Sequence, residues 1–239
     1  MSRKTIFFLV FNVALVAFAA VFGKVQNGAK KNLKMVIQYD RPPSFLTDSI
    51  VNKLLTQNAS LAFNQHKDSL VLNQVETVLE QNAVVEKAEV FLEPSGILGI
   101  KITEREPFFL VEDTLNYFVD RKAKRFPFAA NFSNPMPTFK GTLPEEKREE
   151  VVELLLKLQE DSFLAYELNT LAYRNGNYQL KLQSFPFVVT LGGVQKMDEK
   201  IEKLKIFCAY QKAQDTLRGF EEINLQYENQ VVALTPDAL

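Results

Sequence analysis

The sequence has few of the residue types that most often carry out chemistry. It contains one cysteine, Cys208, one histidine, His66, and no tryptophan. One cysteine cannot form a disulfide within the chain, and this pair cannot supply the several Cys and His ligands of a zinc site. The glycine motifs that bind nucleotides and the signatures of metalloproteases and serine hydrolases are also missing. We therefore predict no catalytic residue, no cofactor and no metal.

An excess of charge of one sign is missing too. The chain has 28 Lys and Arg against 29 Asp and Glu, a net charge of -1, so no overall basic field attracts nucleic acid. The basic run 121–125 is the strongest local charge feature, and a solvated hairpin tip fits it better than a lipid or glycan site. His66 lies in a polar stretch and Cys208 on an apolar helix face, so a solvated loop and core packing are favoured over catalysis.

What the sequence does contain is a long apolar segment near its amino terminus. Residues 6–22 read IFFLVFNVALVAFAAVF, in which Asn12 is the one polar residue. About 17 residues is the short end of what spans a bilayer as a helix, and a core helix would show a stripe of polar residues. A secretory signal peptide is the alternative, with a cleavage site at Ala17-Phe18-Ala19. The apolar run continues to Phe22, which favours an uncut anchor.

The first half of the remaining chain has the pattern strand, helix, helix, strand, strand over residues 33–104. Leu33–Asp40 alternates apolar and polar residues, and so do the two strands on either side of Pro94-Ser95-Gly96, which predicts a hairpin. Thr47 is a candidate helix N-cap. The apolar faces of the two predicted helices are Ile50, Val51, Leu54 and Leu55, and then Val71, Val75, Val78 and Leu79.

The second half predicts short strands and two helices. Residues 134–144 are rich in Pro, Gly and Thr and predict a loop, and Pro144 opens a helix. The turn Asn175-Gly176 predicts a hairpin. Further strands are expected around Ala165–Tyr173, Tyr178–Gln183 and Phe187–Leu191, with two terminal strand segments. The apolar stripes of the two helices are Val151, Leu154, Leu155 and Leu158, and then Ile201, Leu204, Phe207 and Cys208.

This ordered series of motifs resembles the FtsQ/DivIB family of bacterial cell-division proteins over essentially the whole chain. The series includes the E-R-x-P ending of a hairpin, a Y-x-V-D strand, a P-x-x-x-G before a helix and a V-x-L-G before the last helix. Ala123 departs from the pattern, because the family usually has Gly in that turn. The matching residues are Val85, Ala88, Val90, Pro94, Leu98, Ile100, Glu104, Arg105, Pro107, Tyr117, Val119, Asp120, Phe126, Pro137, Gly141, Val189, Leu191, Gly192, Lys200, Lys203, Leu204, Ile223, Leu225, Tyr227, Val231 and Val232.

The resemblance implies an α+β fold in which a single amino-terminal transmembrane helix precedes two domains. The first would be a POTRA domain of the order β-α-α-β-β, and the second a β-rich domain with two flanking helices. Lysines on both sides of the apolar segment leave its orientation open by charge alone, and the family implies a cytoplasmic amino terminus. The implied boundaries are a cytoplasmic tail at 1–4, a transmembrane helix at 5–23, a linker at 24–32, a POTRA domain at 33–106 and a β domain at 107–239.

The resemblance also implies a function as a non-enzymatic scaffold of the divisome. The chain would be a single-pass protein of the inner membrane, with its bulk in the periplasm and concentrated at the septum. The β domain would bind the ectodomains of FtsB-like and FtsL-like coiled-coil proteins, and the POTRA domain would bind other divisome components. Two alternatives are another POTRA-bearing component of envelope assembly or secretion, and a secreted enzyme behind a cleaved signal peptide.

The last strand, Gln230 to Leu234, is the candidate site for binding a partner. Terminal strands often lie at sheet edges, where unpaired N–H and C=O groups accept another strand. We expect an FtsB-like partner to add a strand there. One face of this strand must contact the core, and Val231 and Ala233 are the residues that would face it. The candidate partner-binding residues are Tyr227, Asn229, Val231, Val232 and Ala233.

Overall fold

The computed structural model describes residues 34–57, 69–214 and 219–235. The predicted tail, transmembrane helix and linker (1–32) lie outside the described residues, as does His66. Among the helices that the structure describes, none is long and apolar enough to cross a bilayer. The chain divides into two compact units.

The division between the units does not follow the chain in a simple way. Within the described residues, the first unit comprises 34–40, 47–57, 69–81 and 87–102. The second comprises 41–46, 82–86, 103–214 and 219–235. Two internal segments of the predicted first domain, 41–46 and 82–86, therefore belong to the second unit, and so do its last residues, 103–106. Glu104 holds one of them, because its carboxylate accepts hydrogen bonds from the backbone N–H groups of Ser44 and Leu46, both at 2.6 Å.

The first unit has the predicted order of elements. These are strand β1 (Met35–Tyr39), helices α1 (Asp48–Gln57) and α2 (Ser69–Glu80), and strands β2 (Val85–Leu92) and β3 (Leu98–Glu104). The sheet order is β1-β3-β2, and β1 runs parallel to β3. The Thr47 hydroxyl accepts a hydrogen bond from the Ile50 N–H at 3.4 Å, as expected of an N-cap.

The core of the first unit follows from the two periodicities in the sequence. The helices bury residues four apart, and the strands bury alternate residues, as a one-sided layer requires. Ile50 is 40% exposed, so the buried face of α1 is narrower than predicted. The side chain of Val71 lies outside the described residues. The buried apolar residues include Val51, Leu55, Val75, Leu79, Ala88, Val90, Leu98, Ile100 and Ile102.

The second unit contains one mixed sheet, which has nine strands among the described residues. Its order is β12-β11-β10-β9-β8-β7-β4-β5-β6. The pairs β4–β7, β7–β8 and β10–β11 are parallel, and the other neighbours are antiparallel. The strands are β4 (Phe109–Glu112), β5 (Tyr117–Val119), β6 (Arg125–Pro127), β7 (Thr138–Lys140), β8 (Leu168–Arg174), β9 (Asn177–Leu182), β10 (Val188–Gly192), β11 (Glu222–Asn224) and β12 (Val232–Leu234).

Strand β7 corrects the prediction that residues 134–144 form a loop. It lies between β4 and β8, parallel to both, and Phe139 at its centre is 1% exposed. A strand of three residues with one apolar side chain is too short to show a periodicity. The β8–β9 hairpin, in contrast, confirms its turn signal, because Asn175 and Gly176 have φ of 51° and 81°.

The helices of the second unit are α3 (Arg148–Glu160), α4 (Ser162–Glu167) and α5 (Met197–Gln214), with a short 3-10 turn at Glu145–Lys147. The prediction of two helices is therefore wrong by one, and the predicted strand from Ala165 begins three residues later. Asp161 explains α4, because its carboxylate accepts hydrogen bonds from the N–H groups of Phe163 and Leu164 at 3.0 and 3.1 Å. The predicted stripes of α3 and α5 are buried except for Phe207, which is half-buried against the same core.

Candidate partner-binding edge

The two edges of the nine-stranded sheet, β6 and β12, differ in what they offer to a further strand. Strand β6 carries Arg125 and Pro127 among its three residues. Proline cannot donate a backbone hydrogen bond, and charged residues and prolines are the usual protection of a sheet edge. Arg125 is also occupied, since its guanidinium lies 5.2 Å from the ring centre of Tyr117. Strand β12 contains neither charge nor proline, so it is the open edge of this sheet.

Strand β12 is held along one side only. It pairs antiparallel with β11, with Ala233 opposite Ile223 and Val232 opposite Asn224. The Glu221 N–H donates to the Leu234 carbonyl at 2.9 Å. Within the part of the chain that the structure describes, no strand pairs with the other side of β12. Its outward N–H and C=O groups can therefore bond to an added strand.

The turn that precedes β12 is tied to helix α5. Lys203 donates from its ammonium to the carbonyl oxygens of Tyr227, at 2.8 Å, and Glu228. Lys196 forms an ion pair with Glu228 at 2.6 Å, and the hydrogen bond from Lys196 lowers the pKa of the Glu228 carboxyl. These contacts hold the turn at residues 227–228, and β12 begins at Val232. The sequence alone did not predict these contacts of Lys203 and Lys196 with the turn before β12, although Lys203 is one of the residues that match the family pattern.

The predicted binding residues separate into two groups. Tyr227, 51% exposed, and Asn229 lie at the turn surface. Val231 and Ala233 are half-buried and contact the core, as the alternation of the strand predicted. Val232 lies between them on the opposite face. Its backbone groups bond to β11, so an added strand meets its side chain and the backbone of Ala233.

One exposed residue at this edge was not among the predicted ones. Leu234 ends β12 and is 47% exposed. It shares the parity of Val232, two residues earlier, and therefore the same face of the sheet. Their alternation was the signal in the sequence that could have identified it.

The residues of the second unit that could take part in chemistry are placed for packing. Cys208 is 1% exposed, and burial raises the pKa of its thiol to about 12, so the thiol stays protonated and unreactive. The structure thus confirms the packing interpretation of this residue. Among the described residues, no group of three or more His, Cys, Asp or Glu side chains is arranged to hold a metal.

The basic run 121–125 lies at the β5–β6 hairpin, as predicted. The Arg121 guanidinium lies 4.4 Å from the ring centre of Phe108, and Lys122 forms an ion pair with Glu86 at 2.7 Å. Ala123 has a φ of 59°, the left-handed conformation that glycine adopts most readily. The tip therefore keeps a tight turn without the glycine that the family usually has there.

Comparison with known protein families agrees with this architecture. The β-α-α-β-β arrangement defines a POTRA-like unit, and a model of the POTRA-like domain matches residues 30–103. A model described as FtsQ/DivIB, C-terminal related matches residues 106–234. No curated protein matches the chain.

The chain belongs to the FtsQ/DivIB C-terminal related family, with a POTRA-like domain before the family domain. This confirms the resemblance drawn from the ordered motifs. The FtsQ/DivIB-related domains belong to a non-enzymatic family, and they point to a scaffold related to cell division.

Proposed function

We propose that this protein is a membrane-anchored scaffold of the bacterial divisome. Residues 5–23 anchor it in the inner membrane with the amino terminus in the cytoplasm, and the POTRA domain (33–106) and β domain (107–239) lie in the periplasm. The family match to residues 106–234 supports this proposal over the two alternatives, a secretion component and a secreted enzyme. The POTRA domain recruits the protein to the septum through other divisome components.

The partners of the β domain are FtsB-like and FtsL-like single-pass coiled-coil proteins. An FtsB-like chain adds a strand to β12 and hydrogen-bonds along its outward side. The observation that carries this proposal is the position of β12 as the open edge of the nine-stranded sheet, opposite an edge that contains Pro127. Backbone hydrogen bonds supply affinity, and the side chains that alternate along the strand supply specificity.

Residues at the turn extend the proposed contact surface beyond the strand. Tyr227 and Asn229 are exposed, and Lys203 fixes the backbone of this turn by its two hydrogen bonds. A partner that pairs with β12 passes beside them. Because Tyr227 offers a large ring and a hydroxyl group, it suits a contact at the rim of such an interface.

A pull-down from solubilised native membranes tests the function and the site together. The baits are the full-length chain and a version truncated after Glu228, which lacks β12. We expect the full chain to retrieve small single-pass coiled-coil proteins and the truncated chain to lose them. Circular dichroism of both baits checks that the truncated chain is folded.

The other outcomes separate the two parts of the proposal. Retrieval by both folded baits supports the scaffold function and removes the binding site from β12. Retrieval by neither contradicts the assignment of these partners.

A further inference from the structure

The outer side of edge strand β2, in the POTRA-like unit, is occupied by two side chains. The Ala88 N–H donates to Glu80 Oε1 at 3.1 Å, and the Val90 N–H donates to Glu76 Oε1 at 2.7 Å. Both glutamates belong to helix α2. Since β2 pairs with β3 on its other side, these carboxylates take the amides that a further strand would need.

The spacing of the two glutamates matches the spacing of the two amides. Alternate residues of a strand are about 7 Å apart along its axis. Residues four apart on a helix are about 6 Å apart along the helix axis. Glu76 and Glu80 therefore present two acceptors at nearly the interval at which a neighbouring strand presents its carbonyl groups.

Strand β2 needs such protection more than the other edges do. It has eight residues, against five in β1 and three in each of β6 and β12. Its core-facing residues Ala88 and Val90 are apolar, and its other face carries the Lys87–Glu89 ion pair and Phe91, which is 41% exposed. A long edge with unpaired backbone groups can pair with another, and antiparallel pairing of two identical strands needs only a two-fold axis.

We propose that Glu76 and Glu80 close strand β2 to pairing with the same strand of a second copy of the chain. The two carboxylates replace the carbonyl groups of a partner strand, so the amides of Ala88 and Val90 are satisfied in the single chain. This closure belongs to the first unit alone, and it holds whatever binds to β12.

Self-association of the full-length chain in a density-matched detergent, measured by sedimentation equilibrium, tests the proposal. The double variant Glu76→Ala with Glu80→Ala removes both acceptors. The matched control, Glu76→Gln with Glu80→Gln, removes the charges and keeps a carbonyl oxygen at each position. We expect the alanine variant to associate at least tenfold more tightly than the natural chain and the glutamine variant to behave like the natural chain.

Equal association of the natural chain and a folded alanine variant overturns the proposal, and so does equal tightening in both variants, because charge would then be the cause. Amide exchange provides a direct readout, with faster exchange at Ala88 and Val90 expected in dilute alanine variant. If the double variant does not fold, the single variant Glu80→Ala replaces it.

A synthetic peptide of residues 85–92 should bind the alanine variant and not the natural chain. Equal binding of the peptide to both chains contradicts the closure.

Discussion

Arg105 and Asp120 belong to two different motifs of the sequence, and in the second unit they form one buried ion pair. Arg105 also donates to the carbonyl oxygens of Ala83 and Val85, both at 3.1 Å. Asp120 accepts hydrogen bonds from the N–H groups of Lys122 and Lys124 at 2.9 and 2.7 Å. The pair thus joins segment 82–86 to the β5–β6 turn, which gives these motif residues a structural role.

Replacing Arg105 with alanine should lower the free energy of unfolding by about 3–5 kcal/mol, because it leaves the Asp120 carboxylate buried without its cation. Urea denaturation measures this loss. Arg125→Ala is the control, since Arg125 is exposed and contacts one ring, and it should cost less than about 1 kcal/mol. Similar losses of unfolding free energy in both variants would contradict a larger contribution from the buried ion pair.

Ala123 adopts a left-handed conformation that costs an L-residue roughly 1–2 kcal/mol. Ala123→Gly should therefore raise the free energy of unfolding by about 0.5–1 kcal/mol, after the larger entropy of unfolded glycine is subtracted. Thermal or urea unfolding measures the gain. The same change at Ala209, an exposed position in the interior of α5, should instead destabilise by about 1 kcal/mol. Destabilisation by both changes contradicts the strain at Ala123.

The charge on Asp161 should make the second unit less stable as the pH falls into the acid range. Burial opposes its charge, but hydrogen bonds from Lys205 and from the Leu164 N–H outweigh burial and lower the pKa of Asp161 below its ordinary 3.8. A lowered folded pKa stabilises the fold above pH 3.8, and that contribution disappears as the pH falls through the folded value.

Asp161→Ala should therefore cost about 1 kcal/mol at neutral pH and progressively less below pH 3.8. Asp161→Asn keeps a side-chain cap and loses the ion pair, so its cost should be smaller. Urea unfolding across acid and neutral pH measures both. A cost of Asp161→Ala that does not change with pH contradicts this role of the charge.

At the scale of elements, the long patterned segments could be predicted, but two short ones, β7 and α4, could not. Helices α1, α2, α3 and α5 show apolar spacings over ten or more residues. Strand β7 and helix α4 contain three and six residues, too few for a period to appear. Asp161 before α4 was a usable capping signal. The placement of β7 between β4 and β8 depends on pairing across distant parts of the chain.

The candidate site could be predicted only in part, because some of its contacts join residues that are distant along the chain. The strand at the chain end has a visible alternation, so the core-facing role of Val231 and Ala233 followed from the sequence. The anchoring of its turn by Lys203 did not, because Lys203 and Tyr227 are 24 positions apart. Long-range contacts of this kind have no local pattern.

Lys203→Met should loosen the turn before β12 and leave the global fold almost unchanged. Methionine keeps an apolar stem of similar length but cannot donate to the carbonyls of Tyr227 and Glu228. Amide exchange over residues 225–234 should become faster, and recovery of the partner should fall. Lys212→Met is the control on the same helix, with an exposed side chain. Unchanged exchange in Lys203→Met contradicts the anchoring.

At the scale of the whole molecule, the proposed scaffold function requires that the amino-terminal segment stays attached. The intact mass of the membrane-associated protein tests this. A mass that includes residues 5–23 supports the anchor, whereas loss of about the first 20 residues supports a cleaved signal peptide. A secreted product would have no fixed place in the inner membrane, so the scaffold function would then need another explanation.

Strand addition at β12 is tested most directly by proline substitution at Ala233. The Leu234 carbonyl faces β11, so the backbone groups of Val232 face β11 as well, and those of Ala233 face outward. Ala233→Pro removes an outward N–H, whereas the matched variant Ala233→Gly keeps that N–H and removes only a methyl group. The affinity of full-length variants for the retrieved FtsB-like partner is the quantity to measure. Strand addition predicts at least tenfold weaker binding for Ala233→Pro than for Ala233→Gly, with both chains folded. Equal affinity of the proline and glycine variants would contradict strand addition at β12.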